Sequence, residues 1–536
     1  MRDVKGEECV LQSGPMSRRG FLSGVAAGVV ATGVAQTRPS LGGASEAAGS
    51  SGQETSGLAL GLEERFSVKL LIIGGGRAGF VAGISALEQG LDPEDVLIID
   101  KLSGEGGDWG GSSFVSGGSY LAPVSDSAED VEAYAQAQYE KGLEHGDMDL
   151  LEELARGSYS GLQWLKDHGA QYSEPSSVFP KNPEVLTSVA DMPTLMQTMR
   201  GDYERMGGAI AWSTKALRLI CDAEGVCGCV AMGPEGRFTI RAKKTLLCTG
   251  GYTANREFLE DHVGENGSTL MNRSRPSCTG DGIYMAREVG GCTVGSVGLR
   301  TVHLSAVDPV AVAKGQPGNQ IPFFIAINSE GKRFVDEALG SVRHGQAVFQ
   351  QSVQRDGLVT DSKVLDDIQG VLDKLAGQGV QTWKTDTLDE MAEIFGVDAD
   401  ALKATVDEFN AAVQGDGTTR GLSPDKTANA KTIDTPPYYG IYPLVPGTSL
   451  TFGGLKVDTA SHVLMADGTT VSNLFALGEG TGGFFYDDYF GGSCICRCTV
   501  FGQIAAKTGR IVKLSATSPG RPRWPSCTPA PSSACR

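Results

Sequence analysis

Apolar and polar positions along this chain fall into runs that repeatedly end in glycine. Leu70, Leu71, Ile72 and Ile73 form an unbroken apolar stretch, the pattern of a strand buried on both faces of a parallel sheet. Glycines follow at once, and residues 78–89 then read as a helix. A second apolar run at 96–99 is a short strand closed by Asp100. Downstream, 150–167 and 193–206 carry helical patterns, 216–232 and 237–242 alternate as strands, and 245–248 is an apolar strand running into Thr249-Gly250-Gly251. Residues 283–289 read as a helix, 474–477 as a strand and 497–509 as a last helix. Strand-to-glycine turns at the start, middle and end of a long chain predict one α/β nucleotide-binding domain interrupted by an insertion.

Gly74, Gly76 and Gly79 stand at G-x-G-x-x-G spacing between the first strand and the first helix. The first glycine permits a tight turn, the second lets backbone approach a pyrophosphate, and the third lets the helix pack on the strand. The helix then aims its N-terminal amides and positive dipole end at the phosphates. Asp100 lies at about the distance at which an acidic side chain accepts hydrogen bonds from a ribose. These features fit either FAD or NAD. Residues 110–123, GGSSFVSGGSYLAP, read as a glycine and serine loop dense in backbone donors, suited to wrapping a ligand.

With 536 residues the chain is long enough for two or more domains and a large core. A formal charge of −18 argues against nucleic acid as a partner, because phosphates would be repelled over most of the surface. No stretch after the N-terminus approaches the roughly 20 apolar residues needed to cross a bilayer, so stable membrane insertion of the mature chain is not expected. The twelve cysteines include two clusters, Cys221, Cys227 and Cys229, and Cys494, Cys496 and Cys498. Neither has paired C-x-x-C ligand spacing or a haem-attachment motif, so no metal is expected and the clusters read as small buried residues.

Ser17-Arg18-Arg19-Gly20-Phe21-Leu22 precedes the apolar, small-residue run 25–34 and resembles a twin-arginine export signal. A polar linker rich in Gly, Ser and Ala follows to residue 57. This predicts export, with a periplasmic or other extracytoplasmic destination. Met16 just ahead of the arginines is the expected translation start. The segment 515–536, rich in Pro and Ser and without periodicity, reads as a disordered tail.

A family resemblance rests on GGGRAG, GGSSFVSGG, CTGGY, TGDG, GKRFVDEA (from Gly331), ALGEG and YFGGS followed by VFGQIAA, in that order. Over residues 66–514 the chain resembles the superfamily of FAD-dependent fumarate reductases, succinate dehydrogenase flavoproteins and 3-ketosteroid dehydrogenases. The resemblance implies a Rossmann-like FAD-binding domain in two parts, 66–297 and 451–514, around an inserted α+β cap at 298–450. FAD is the implied cofactor. Its implied contacts are Gly74, Gly76, Ala78, Gly79, Asp100 and Lys101 in the first unit, and Gly111, Ser112, Ser113, Gly117 and Gly118 in the next loop. Thr249, Gly250, Gly251 and Asp281 follow in the middle turns, and Gly478, Glu479, Gly492 and Ser493 near the end.

In fumarate-reducing members two histidines and two arginines clamp a dicarboxylate, and one arginine supplies a proton. By that resemblance His303 stands where the first histidine falls, Leu450 replaces the second, and Tyr489 takes the place of one clamp arginine. Arg343 is the candidate proton donor, two residues further from Glu337 than the family pattern has it. In the ketosteroid branch Tyr489 matches a tyrosine that hydrogen-bonds a substrate carbonyl, whereas Ser341 replaces a tyrosine expected to assist proton abstraction and Ser493 replaces a glycine. Arg333 and Glu337 are expected to serve cap structure. The implied activity is hydride transfer between flavin and a carbon–carbon single or double bond of a small molecule, activated by a neighbouring carbonyl or carboxylate. Alternatives are a 3-ketosteroid dehydrogenase and, because Cys494 to Cys498 depart from the family, a flavin-binding protein that does not catalyse. With no haem motif on the chain, electrons are expected to pass through a separate donor or acceptor.

Overall fold

The computed structural model describes residues 61–179, 182–295, 302–306 and 314–508, with the backbone alone at 302–306. The expected export signal, linker, start site and tail lie outside the described residues. The first apolar run becomes β1 (Glu64–Ile73), followed by α1 (Arg77–Glu88) and β2 (Val96–Ile99). Next come α2 (Ala128–Lys141), β3 (Ala209–Ala211), β4 (Lys215–Asp222), β5 (Gly225–Gly233), β6 (Gly236–Leu247) and α3 (Asp281–Glu288). Later elements are α4 (Ser341–Phe349), β7 (His462–Leu464), β8 (Thr470–Ala476) and α5 (Ser493–Thr508).

These strands form one eight-stranded sheet in the order β7-β8-β6-β1-β2-β3, with β5 beside β6 and β4 beside β5. β1 pairs parallel with β2 and β6, placing Ile72 opposite Ile98 and Leu246. Leu71, Ile72, Ile98 and Leu246 have no exposed surface, and each such side chain contributes about 1.5–3 kcal/mol by leaving water. The long β6 replaces the two strands expected at 237–242 and 245–248. It pairs with β5 through its first half and with β8 through its last residues, so both stretches stay in one ladder. The loop expected at 110–123 also changes character: after a 3₁₀ turn, Ser119–Pro123 is a strand paired with Val185–Val189, because Tyr120 and Leu121 are fully buried.

Between β6 and β7 the chain builds a second sheet. Its long strand Tyr438–Thr448 pairs with Asp356–Asp361, Thr382–Thr385 and Val302–Ala306, and Ile325–Ile327 adds to Asp356–Asp361. Side chains alternate across this sheet as strand geometry requires. Ala326, Leu358 and Ile441 enter one apolar cluster with the helix Leu365–Gly377, while Ile325, Ile327 and Val359 enter another with the helices Leu388–Phe395 and Ala399–Ala412.

Candidate functional site

The three glycines after β1 are held for different reasons. Gly74 has φ +117°, a conformation glycine adopts freely, and a Cβ there would stand 2.3 Å from the Cys248 carbonyl oxygen. A Cβ on Gly79 would fall 2.0 Å from the Gly74 oxygen, so Gly79 sets the helix against the turn and does not line the cavity. Gly76 has φ −86°, and the nearest atom to an added Cβ is the Gly110 oxygen at 3.6 Å. The protein's own packing therefore leaves room at Gly76, which with Gly74 and Ala78 lines a cavity of about 850 Å³. α1 begins here with no side-chain cap and no acidic residue in its first turn. Its first amides and positive dipole end are left for an anion, so the residues present fit a pyrophosphate.

Asp100 closes β2 and staples this turn. Its carboxylate accepts the Gly75 N–H at 2.6 Å and the Leu102 N–H at 2.8 Å. Burial pushes its pKa up, and those two amide bonds oppose the shift. Each oxygen keeps a further lone pair for a ligand hydroxyl. Lys101 Nζ donates to Asp281 Oδ2 at 2.9 Å and to Thr279 Oγ1 at 2.8 Å, tying the end of β2 to the start of α3. Both Lys101 and Asp281 line the cavity, as do Thr249 and Gly250 from the turn after β6. Gly251 does not. A Cβ there would meet Thr451 Oγ1 at 2.2 Å and Glu479 Oε1 at 2.6 Å, so this glycine makes room for those two side chains.

The serine loop contributes Gly111, Ser112, Ser113, Gly117 and Gly118 to the wall. Ser112 Oγ bonds Ser274 Oγ and lies 2.7 Å from the thiol of Cys278, another lining residue. From the far end of the chain come Gly478, Glu479 and Gly492. Glu479 accepts the Thr451 N–H at 3.1 Å. Burial pushes its pKa up to about 7, against the pull of the Arg497 guanidinium. Ser493 corrects an expectation: it is fully buried, off the cavity wall, with its hydroxyl shared between Gln138 and the Phe490 carbonyl. The wall residue there is Cys494, whose sulfur accepts from Arg497 Nη2 at 3.1 Å.

Tyr489 lines the cavity beside Gly491 and Gly492, with its ring edge-on to Phe452 at 5.2 Å. Burial, with Cys494, Asp488 and Glu479 nearby, raises its pKa well above the usual phenol value. Next to it Asp488 pairs with Lys141 Nζ at 2.6 Å, and both line the cavity. Arg343 does not line it, although Ser341 and Val342 on the same helix α4 do. One further residue of helical rotation, about 100°, turns it from the face they share. Its charge acts on Asp488 instead, opposing the rise that burial imposes on that carboxyl. The side chain of His303 lies outside the described residues; its backbone, in Val302–Ala306, pairs with Gly447. Sequence reasoning missed Lys141 and Asp488. Lys141 ends an amphipathic helix without a motif, but Asp488 adjoins the YFGGS turn and was within reach.

The cavity thus gathers turns from the start, middle and end of the large sheet, and residues from Gln316 to Pro322, Ala338 to Val342 and Lys374 of the inserted region complete its wall. A family model described as FAD binding domain matches residues 69–493. The chain belongs to this FAD-binding family. FAD is therefore its cofactor, and the cradle at Gly76 fits that assignment. Among curated proteins the family member is 26% identical over 453 residues to a probable fumarate reductase, Ifc3, of Shewanella frigidimarina, covering 82% of this chain and 74% of that protein. It is 28% identical over 460 residues to urocanate reductase of Eggerthella lenta, with 82% and 74% covered. In fold it is similar to the solved 3-ketosteroid-delta4-(5alpha)-dehydrogenase of Rhodococcus jostii RHA1, with TM-score 0.67, 20% identity, and 85% and 99% of the two chains covered.

Proposed function

We propose that this FAD-dependent oxidoreductase reduces a carbon–carbon double bond activated by a neighbouring carbonyl or carboxylate on a small molecule. The observation that carries the reading is one cavity running from the Gly76 cradle to Tyr489, walled by both the large sheet and the inserted region. Membership of the FAD-binding family and the reductase relatives support it. When bound, FAD supplies the two-electron hydride chemistry. Gly74, Gly76, Ala78 and the start of α1 hold its pyrophosphate, Asp100 and Lys101 its ribose end, and Ser112, Gly250, Glu479 and Gly492 the remainder.

Tyr489 keeps its proton at neutral pH and donates a hydrogen bond to the substrate oxygen on which negative charge develops. The segment 298–450 acts as a cap that excludes water from that bond, as the lining of Ala338 to Val342 supports. Arg343 acts through Asp488 rather than as a proton carrier. Electrons come from a separate donor. The arginine pair at 18 and 19 supports export to an extracytoplasmic compartment. Ketosteroid dehydrogenation finds less support, because Ser341 occupies the wall where a phenol would take the proton.

Anaerobic reduction followed by mixing with fumarate, urocanate, cinnamate and simple enones tests the reading. At least one class reoxidises the flavin faster than buffer does. If none does, the protein binds flavin without reducing such bonds.

A further inference from the structure

We infer that Lys141 anchors a single carboxylate of the substrate, making the preferred substrate class a 2-enoic acid with one charge and an apolar remainder. This deepens the function proposed above and rests on it. Lys141 Nζ lies 2.6 Å from Asp488 Oδ2, and the two side chains are 30% and 7% exposed on the cavity they both line. An ammonium has three N–H donors. Asp488 takes one, the face of Phe490 lies 5.9 Å away, and the described residues offer Lys141 no other hydrogen-bond partner. Two donors are thus left without a protein acceptor among the described residues, on a side chain that lines the cavity.

Of the other four cavity cations, Lys101 and Arg77 each have two protein partners, and among the described residues none of the four is bonded to a residue adjoining Tyr489. Lys101 is bonded to Asp281 and Thr279, Lys215 also pairs with Asp281, and Arg77 is bonded to Thr499 and Tyr172. Lys374 belongs to the inserted helix Leu365–Gly377. Lys141 is also in fixed register with Tyr489, because Asp488 Oδ1 accepts the Tyr489 N–H at 2.8 Å while Oδ2 holds the ammonium. One carboxylate thus places its substrate relative to the phenol. Val178, Phe179, Leu450 and Val342 also line the cavity, and apolar walls of this kind strengthen a charge pair by excluding water. A second substrate carboxylate meets the charge of Asp488, so the pair selects one negative group and opposes two.

The test uses the flavin-loaded full chain and 3-phenylpropanoate, a saturated acid that binds without turnover, titrated by the visible difference spectrum of the flavin. Cinnamate and its methyl ester are then compared as oxidants of the reduced enzyme. Lys141→Met weakens 3-phenylpropanoate and raises the cinnamate KM by about tenfold or more while the ester's KM stays within about twofold, and any change in kcat from the loss of Asp488's partner is shared by acid and ester. Lys141→Arg restores most of the affinity, and Asp488→Asn tightens acid binding by removing the competing carboxylate. Flavin content and thermal unfolding of each variant confirm that it folds. Equal weakening of acid and ester, unchanged acid binding in Lys141→Met, or no acid binding to the wild type overturns the inference. If the acid binds through Lys141 but no enoate or enone reoxidises the flavin, the anchor stands and the proposed reaction falls. If enones turn over while acids ignore Lys141, the reaction stands and the anchor falls.

Discussion

Glu337 and Glu479 are both withdrawn from bulk solvent, one in the inserted region and one in the turn that follows β8 of the large sheet, and their partners differ in kind. Glu337 has no exposed surface and is surrounded by protein: Arg333 Nε at 2.9 Å, the Ala326 N–H at 2.9 Å and Lys426 Nζ at 3.5 Å. Burial opposes its ionisation, but Lys426 and Arg333 outweigh that and hold its pKa below the usual carboxylate range. Glu479 receives one backbone N–H, faces the cavity on its other side, and has its pKa pushed up to about 7 by burial. A buried charge whose partners are all protein is a fastening of the fold. One left half-satisfied beside a cavity is waiting for a ligand.

The strongest test of that distinction is steric. Gly76→Val keeps an allowed φ and meets no protein atom closer than 3.6 Å at its Cβ, so the variant folds but purifies colourless, because the side chain fills the pyrophosphate's approach. Full flavin absorbance would break the assignment. Gly74→Ala, by contrast, strains the backbone itself and lowers stability before cofactor is considered.

Next in size, Glu337→Gln strands Arg333 and Lys426 in the interior. Leaving buried charge unpaired costs about 3–5 kcal/mol, measured by denaturant unfolding, with flavin content of the folded fraction unchanged. A loss below about 1 kcal/mol would mean that this buried network is not the fastening its geometry implies. Tyr489→Phe removes a donor aimed at developing charge and lowers turnover about 10²-fold with FAD retained; stopped-flow reoxidation reads it, and a rate equal to wild type removes Tyr489 from the mechanism. Arg343→Ala, acting only through Asp488, has a smaller effect on the same measurement.

The smallest effect is a pH slope. Because the folded pKa of Glu479, about 7, lies above its ordinary value of 4.5, the native state holds an extra proton between those values. Stability therefore falls as pH rises through that window. Melting of the flavin-free protein between pH 4.5 and 7.5 shows the decline, and Glu479→Gln flattens it. An identical slope in the variant would assign the decline to other groups.

Most of this architecture was legible because the first strand is apolar throughout and its glycines have backbone reasons. Gly74, Gly76 and Gly79 were assigned three roles from spacing alone, and the structure gives them three environments. Legibility stopped where a residue's neighbours come from distant sequence. Ser493 and Gly251 sit inside motifs yet turn away from the cavity, because Gln138 claims one and Thr451 with Glu479 crowds the other. Arg343 is the candidate proton donor although it stands two residues further from Glu337 than the family pattern has it, and its place on α4 decides what it faces. The Lys141–Asp488 pair joins the end of one helix to a glycine turn far downstream, a proximity that no spacing rule encodes.

Arg77 Nη2 reaches Thr499 Oγ1 at 3.0 Å across 422 residues of sequence, and α1 packs so closely on α5 that a Cβ on Gly502 would stand 2.8 Å from Val81. The ribosome releases this closing helix some 422 residues after the cradle. Until then Phe80, Val81 and Ile84, all without exposed surface in the finished fold, lack part of their cover, and such a nascent chain is prone to aggregate. Chains truncated before Ser493 accordingly emerge colourless and insoluble, so yellow colour reports that synthesis ran through α5.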